Sequence, residues 1–167
     1  MVVYVVGLLL LSVAAVLDAS VLSFFRIANG QPSLVLLLVV AWGLLNDLAD
    51  GLPWALIGGI LADLVSVTPT GTSSLAFTLS LALFASVFGQ VGRRNLLIPP
   101  LAVGIATALW HAVILLVLTV MGMGVPVDQA FITWTLPSLI FNAVAMLVVF
   151  RVMGGILALL APPQVRL

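Results

Sequence analysis

Four ionisable side chains stand inside long apolar runs of this sequence, at Asp18, Asp63, His111 and Arg151. An ionisable group among apolar residues is costly, so it is retained only where it is paired, protonated or hydrogen-bonded. Each of these residues is therefore a candidate for a functional role.

The chemistry open to these residues is limited. The chain has one His and no Cys, whereas a zinc site needs several such ligands, so His111 is interpreted as a satisfied core histidine. A proton relay needs a chain of acids along one path, and none is visible. A hydrolase would need a Ser/His/Asp set on supporting loops, but His111 lies in the middle of an apolar run. We expect no enzymatic activity, no metal and no cofactor.

Asp63 ends an apolar run and precedes a turn rich in Pro, Gly, Ser and Thr. Pro69 cannot continue a helix, Gly71 can adopt a positive φ, and the following hydroxyls can cap a new helix. The stretch that contains Gly59, Asp63, Ser66, Pro69 and Gly71 is therefore predicted to form a helical hairpin near a membrane face. Asp63 is either a functional acid or a structural one that accepts hydrogen bonds from the turn 68–74 and joins two helices. The sequence favours the structural role.

Asp18 lies about two helical turns before the predicted end of the first helix. His111 and Arg151 are the intramembrane groups with which it could pair, so one hypothesis is a polar cluster of Asp18, His111 and Arg151. The alternative, which the sequence favours, is that these residues act separately near the membrane surface.

The composition defines the class of protein. Of 167 residues, 64% are hydrophobic and only 6% are charged, whereas a soluble domain carries about a quarter charged residues. The chain is therefore interpreted as an integral membrane protein with one domain, residues 1–167. Its charges balance, so no basic surface exists for nucleic acid.

Six apolar runs are candidates for membrane spans, because a spanning helix needs roughly 20 mostly apolar residues. We predict an all-α bundle of six transmembrane helices, at about residues 2–25, 33–48, 53–67, 73–91, 96–121 and 133–160. Pro53 is expected as a first helical residue, and residues 125–132 are expected to form a linker. Trp54 and Trp134 fit an aromatic belt at the membrane surface.

Arginine placement predicts the orientation, because cytoplasmic loops are enriched in cations. Placing both termini in the cytoplasm puts Arg93, Arg94 and Arg166 inside and only Arg26 outside. The turn after Asp63 then faces outward, and Asp47 and Asp50 face the cytoplasm as a solvated turn or, alternatively, a docking point.

Small residues recur at packing spacing, as in Gly104 and Ala108, which lets helix backbones approach closely in lipid. The sequence favours a role for these small residues in packing within the bundle over a role as an interface for a partner helix.

One order of motifs runs through nearly the whole chain. Leu17-Asp18-Ala19-Ser20 interrupts the first helix, Phe24-Phe25-Arg26-Ile27 follows, and a Pro-Ser-Leu-Val-Leu-Leu run opens the second. The hairpin then reads Gly-X-X-X-Asp-Leu-X-Ser-X-X-Pro-X-Gly over residues 59–71, and the fourth helix ends in a basic pair. The chain resembles the MreD family of the bacterial rod-shape complex. Asp18 departs from the pattern, where a neutral polar group is expected.

The resemblance implies a non-catalytic scaffold in the bacterial plasma membrane. Such a scaffold would bind the single-span protein MreC and help couple RodA and a class B penicillin-binding protein to MreB filaments. It would contact membrane lipid but no nucleic acid. The resemblance also implies a fold shared with the substrate-binding subunits of energy-coupling-factor transporters.

That fold supplies an alternative function, the binding of a vitamin as a transporter's specificity subunit. A binding subunit needs several convergent polar groups in one pocket, and the sequence offers few beyond Asp18, Asp63 and Asn142. A conductor of protons or ions is a third class, with too few intramembrane polar residues to trace a path.

Overall fold

The computed structural model describes residues 2–24, 29–66, 68–87, 97–124 and 126–160. Within these ranges the chain is helical and contains no β-strand, which confirms the all-α prediction. The helices are α1 (Val2–Ser20), α2 (Leu34–Leu45), α3 (Leu48–Leu64), α4 (Thr72–Val87), α5 (Ile98–Val120), α6 (Val127–Ala130) and α7 (Leu136–Leu160). A 3₁₀ turn, Leu22–Phe24, follows α1, and a π-helical segment, Phe131–Thr135, joins α6 to α7.

Helix α2 is the centre of the bundle, and it contacts α1, α3, α4, α5 and α7. A helix that is apolar on every side is stable only when it is surrounded by other elements. Six of its residues have no exposed surface at all: Val35, Leu36, Leu37, Val39, Val40 and Ala41. The other helices pack around it and turn apolar side chains outward, among them Leu9, Leu116 and Val148.

Within the described residues, two helices are long and apolar enough to cross a membrane, Ile98–Val120 and Val127–Leu159. Shorter apolar helices cover Tyr4–Ser20, Leu34–Leu45 and Thr72–Phe84. Large exposed apolar surfaces of this kind are typical of membrane or partner contact. Six complete spans remain a prediction.

Several predicted boundaries are wrong. Helix α3 begins at Leu48, five residues before Pro53, so the proline lies inside the helix. A proline at this position removes the hydrogen bond that an N–H of residue 53 would give to the carbonyl four residues earlier. The predicted linker 125–132 is largely helical, because α6 and the π-helical segment extend α7 toward its N-terminus. Helix α1 ends at Ser20 rather than near residue 25.

Trp54 is a buried core residue rather than a member of a surface belt. It is 3% exposed, and its ring stacks on Trp42 with 3.9 Å between the ring centroids. Gly7 of α1 makes room for it, since a Cβ at Gly7 would overlap the Trp54 ring. The pair therefore ties α1, α2 and α3 together.

Candidate functional site

The Asp63 carboxylate lies at the C-terminal end of α3 and caps the start of α4. Its two oxygens accept hydrogen bonds from the Gly71 N–H at 2.7 Å, the Ser73 N–H at 3.1 and 3.2 Å, and the Thr68 hydroxyl at 3.2 Å. The first N–H groups of a helix have no partner within the helix, and a carboxylate is a strong acceptor for them. Although Asp63 is only 3% exposed, its acceptor sites are occupied.

The turn that carries these donors is held by local chemistry. Gly71 has a φ of +104°, a region in which a residue with a side chain is strained. The Thr72 hydroxyl donates to the Pro69 carbonyl at 2.8 Å, and the Ser66 hydroxyl donates to the Asp63 carbonyl at 3.2 Å. Asp63, Ser66, Pro69 and Gly71 therefore share one turn, whereas Gly59 lies within α3.

Gly59 allows α3 and α4 to meet closely. A Cβ at this position would overlap the backbone N and Cα of Ser74. The Ser74 hydroxyl crosses the contact and donates to the Leu56 carbonyl at 3.0 Å. Close backbone contact at small residues is a common way for helices to associate in lipid.

Asp18 caps the N-terminus of α2, as Asp63 caps the N-terminus of α4. From the last turn of α1 it accepts hydrogen bonds from the Leu34 N–H at 2.8 Å, the Val35 N–H at 3.2 Å and the Ser33 hydroxyl at 3.0 Å. Ser33 is itself the N-cap of α2 and accepts from the Leu36 N–H at 3.3 Å. The start of α2 thus has two side-chain acceptors.

A buried polar chain continues from this cap across the bundle. The Ser33 N–H donates to Asn142 Oδ1 at 2.9 Å, and Asn142 Nδ2 donates to Thr107 Oγ1 at 3.0 Å. Asn142 and Thr107 have no exposed surface, so the chain joins α2, α7 and α5 inside the core. Sequence reasoning missed it, because Ser33 and Asn142 are 109 residues apart and nothing local links them.

His111 and Arg151 lie in other surroundings. His111 Nδ1 shares a hydrogen bond with Thr135 Oγ1 at 3.0 Å, whereas Arg151 is exposed on α7. No hydrogen bond or ion pair joins Asp18, His111 and Arg151, all of which lie in described ranges. Arg26, Arg93, Arg94 and Arg166, on which the predicted orientation depends, lie outside the described residues.

An apolar groove runs along the outside of the bundle between α5 and α7. One hollow of about 460 Å³ lies between Leu101, Gly104 and Ala108 of α5 and Leu139, Ile140 and Ala143 of α7. A second hollow of about 350 Å³ continues along α5 from Ala108 past Ala112 to Thr119, and its far wall is formed by α6 and the π-helical segment that precede α7. Together they form what we call the α5–α7 groove, in which Gly104, Ala108 and Ala112 follow one another at intervals of four residues.

The profile of one protein family, described as rod shape-determining protein MreD, matches residues 1–159. The chain belongs to the MreD family. This finding confirms the resemblance noted in the sequence and assigns the chain a role in determining rod shape. No curated protein and no solved structure matched the chain.

In this MreD protein, the polar side chains described above hold the helices together. They do not form an exposed reactive centre. The carboxylates of Asp18 and Asp63 both accept hydrogen bonds from backbone N–H groups at the N-terminus of the next helix. In the described part of the chain, no group of three or more His, Cys, Asp or Glu residues is placed to hold a metal ion. Two concave surfaces of the described residues are open to a partner or ligand, the α5–α7 groove and a cavity beside His111.

Proposed function

We propose that this chain is a non-catalytic scaffold of the rod-shape complex, a multi-pass protein of the bacterial plasma membrane with both termini in the cytoplasm. It accepts the transmembrane helix of MreC and helps couple RodA and a class B penicillin-binding protein to MreB filaments. Membership of the MreD family supports the role in shape. The α5–α7 groove is the observation that supports helix binding.

The dimensions of the groove suit a single helix. It follows α5 from Leu101 to Thr119, about 27 Å at 1.5 Å per residue, close to the roughly 30 Å of a hydrocarbon core. A helix lying in the groove would therefore contact α5 through most of the bilayer.

The lining of the groove suits helix packing in lipid. Helices in a bilayer gain little from leaving an apolar solvent, so association depends on close van der Waals contact and on small residues that allow it. Gly104 supplies such a place, because a Cβ there would make only an ordinary contact of 3.4 Å with Leu139. The hollow is therefore open to a partner side chain.

The test is to fill the groove and measure MreC binding. Gly104→Leu places a side chain in the hollow and should reduce the MreC that co-purifies in mild detergent by about tenfold. Gly155→Leu is the matched control, since Gly155 lies on α7 with nothing within 4 Å of a Cβ, and it should retain wild-type binding.

The amount of bound MreC can be compared only between folded variants. Thermal unfolding in detergent shows whether each variant is folded. If folded Gly104→Leu retains MreC at the wild-type ratio, the groove is not the binding surface. If folded wild-type protein retains no MreC at all, the scaffold function itself is wrong.

A further inference from the structure

A cavity of about 490 Å³ lies at the end of the bundle where α2 and α4 begin. Residues of the α1–α2 connector, the end of α3, the middle of α5 and the π-helical segment line it, including Gln31, Ser66, Trp110, His111, Trp134 and Thr135. Small-molecule sites have volumes of about 300–1,000 Å³, with apolar walls and a few placed polar groups. This cavity has the size and the lining of such a site.

Among the described residues, none that lines the cavity carries a charged side chain. The nearest carboxylate in sequence to Ser66 is Asp63, which is 3% exposed and accepts hydrogen bonds from Thr68, Gly71 and Ser73. An unpaired ion would lose its hydration here without gaining a counter-charge, which is unfavourable. The cavity therefore selects for an uncharged occupant.

His111 offers a hydrogen-bonding atom at the cavity. Its Nδ1 shares a hydrogen bond with Thr135 Oγ1, which fixes the orientation of the ring. Its Nε2 forms no hydrogen bond with any described residue. Trp110 and Trp134 supply flat aromatic walls nearby, and Trp110 is held by its own bond from Nε1 to the Ser73 hydroxyl at 2.9 Å.

The walls of the cavity depart from regular backbone structure in two places. Trp134 and Thr135 belong to the π-helical segment, a conformation that occurs frequently at functional sites. Asn29, on the opposite wall, has a φ of +69°, and left-handed backbone outside glycine is also enriched at such sites.

These two walls are fixed to each other. The Gln31 N–H donates to the Ser138 hydroxyl at 3.1 Å, and Gly30 lies so close to Pro137 that an added Cβ would be 2.5 Å from the Pro137 Cβ. A preformed cavity of this kind lowers the ordering cost of binding.

We propose that this cavity binds an uncharged small molecule with a planar ring and a hydroxyl or carbonyl group that hydrogen-bonds His111 Nε2. The ring packs between Trp110 and Trp134, and the polar group faces His111. This site is separate from the α5–α7 groove and does not depend on the proposed binding of MreC.

The probe for the test is 4-(trifluoromethyl-diazirinyl)benzyl alcohol, a neutral, ring-bearing compound that crosslinks on illumination. The control compound is the corresponding benzoic acid, which has the same ring and diazirine but carries a negative charge. Each is photolysed with the purified full-length protein in detergent, and the adducts are mapped by peptide mass spectrometry. The alcohol should label cavity residues saturably, and the acid should label them about tenfold less.

Two variants distinguish labelling inside the cavity from non-specific labelling of the apolar surface. Ile114→Trp fills the cavity and should reduce saturable labelling by about tenfold. Ile132→Trp is the control, since Ile132 is 64% exposed and does not line the cavity, and it should not change labelling. If Ile114→Trp does not fold, Ser66→Trp, at an exposed position in the turn after α3, closes the same cavity.

His111→Phe keeps a ring but removes both nitrogens, and it should weaken saturable labelling by the alcohol. Non-saturable labelling spread over the lipid-facing surface would overturn the proposal. So would equal labelling by the alcohol and the acid, or saturable labelling that survives when the cavity is filled.

Discussion

The α3–α4 turn and the α1–α2 connector both place a carboxylate of one helix against the first amide groups of the next. Asp63 reaches Gly71 and Ser73, and Asp18 reaches Leu34 and Val35. In each case a hydroxyl of the connecting segment, Thr68 or Ser33, donates to the same carboxylate. The two hairpins therefore share one arrangement of donors around an acid.

They differ in what remains when the acid is removed. The start of α2 keeps the Ser33 cap, which accepts from the Leu36 N–H. At the start of α4 the hydroxyls have other partners: Thr72 donates to Pro69, Ser74 donates to Leu56, and Ser73 accepts from Trp110. Asp63 is also buried, whereas Asp18 is partly exposed. The first N–H groups of α2 thus have a second side-chain acceptor beside the carboxylate, whereas no described hydroxyl at the start of α4 supplies one beside Asp63.

The largest effect is expected from Asp63→Ala. It leaves the N–H of the buried Ser73 and the N–H of the exposed Gly71 without their carboxylate acceptor, so the free energy of unfolding should fall by about 3–4 kcal/mol. Reversible unfolding in mixed micelles, followed by circular dichroism, measures this change. A loss below that of Asp18→Ala would show that the comparison is wrong.

Gly59→Ala should have the next largest effect. The added methyl group meets the backbone of Ser74 rather than a flexible side chain, so α3 and α4 must separate, at a cost of about 2–3 kcal/mol. Gly104→Ala is the control, since its Cβ makes an ordinary 3.4 Å contact and a helical alanine gains up to about 1 kcal/mol over glycine. Equal stability of the two variants in the same unfolding assay would contradict close packing at Gly59.

Asp18→Ala should cost less, about 1–2 kcal/mol, because Ser33 still caps α2. Adding Ser33→Ala to Asp18→Ala should remove the remaining acceptor and bring the loss toward that of Asp63→Ala. If the double variant unfolds no more easily than Asp18→Ala, Ser33 does not reinforce this cap.

Gly71→Ala should give the smallest loss, about 1 kcal/mol. Its φ of +104° disfavours a side chain, but open space surrounds the position, so only backbone strain contributes. Thr70→Ala, at the exposed neighbouring residue, should leave thermal stability unchanged. Equal melting temperatures for the two variants would show that the turn relaxes without strain.

The α3–α4 hairpin could be predicted from sequence because its chemistry is local. Asp63, Pro69 and Gly71 lie within nine residues, and each residue type has a defined place in a turn. Asp18 could not be assigned to α2 in the same way. Its hydrogen-bond donors, Ser33, Leu34 and Val35, lie 15 to 17 residues later in the sequence. The groups that could pair with it by charge, His111 and Arg151, lie on other helices.

Local sequence patterns also could not predict the burial of Trp54 or the N-terminal extension of α7. A tryptophan near a predicted helix start is typical of the membrane surface, but Gly7, 47 positions earlier in the sequence, provides a space that only the packed structure reveals. Residues 127–135 were interpreted as a polar linker and a helix start, whereas packing of the π-helical segment against α5 and α7 keeps them helical.

The central claim is that the two carboxylates maintain the fold while recognition takes place at the outer surfaces. The most direct test expresses Asp63→Ala, Asp63→Asn and Asp18→Ala in cells that lack their own copy, and measures cell width against the amount of folded protein in the membrane. We predict that loss of rod shape follows loss of folded protein in every variant. An Asp63→Asn protein that accumulates in folded form at the wild-type level while the cells become round would contradict the account, because the carboxylate would then act in the function itself.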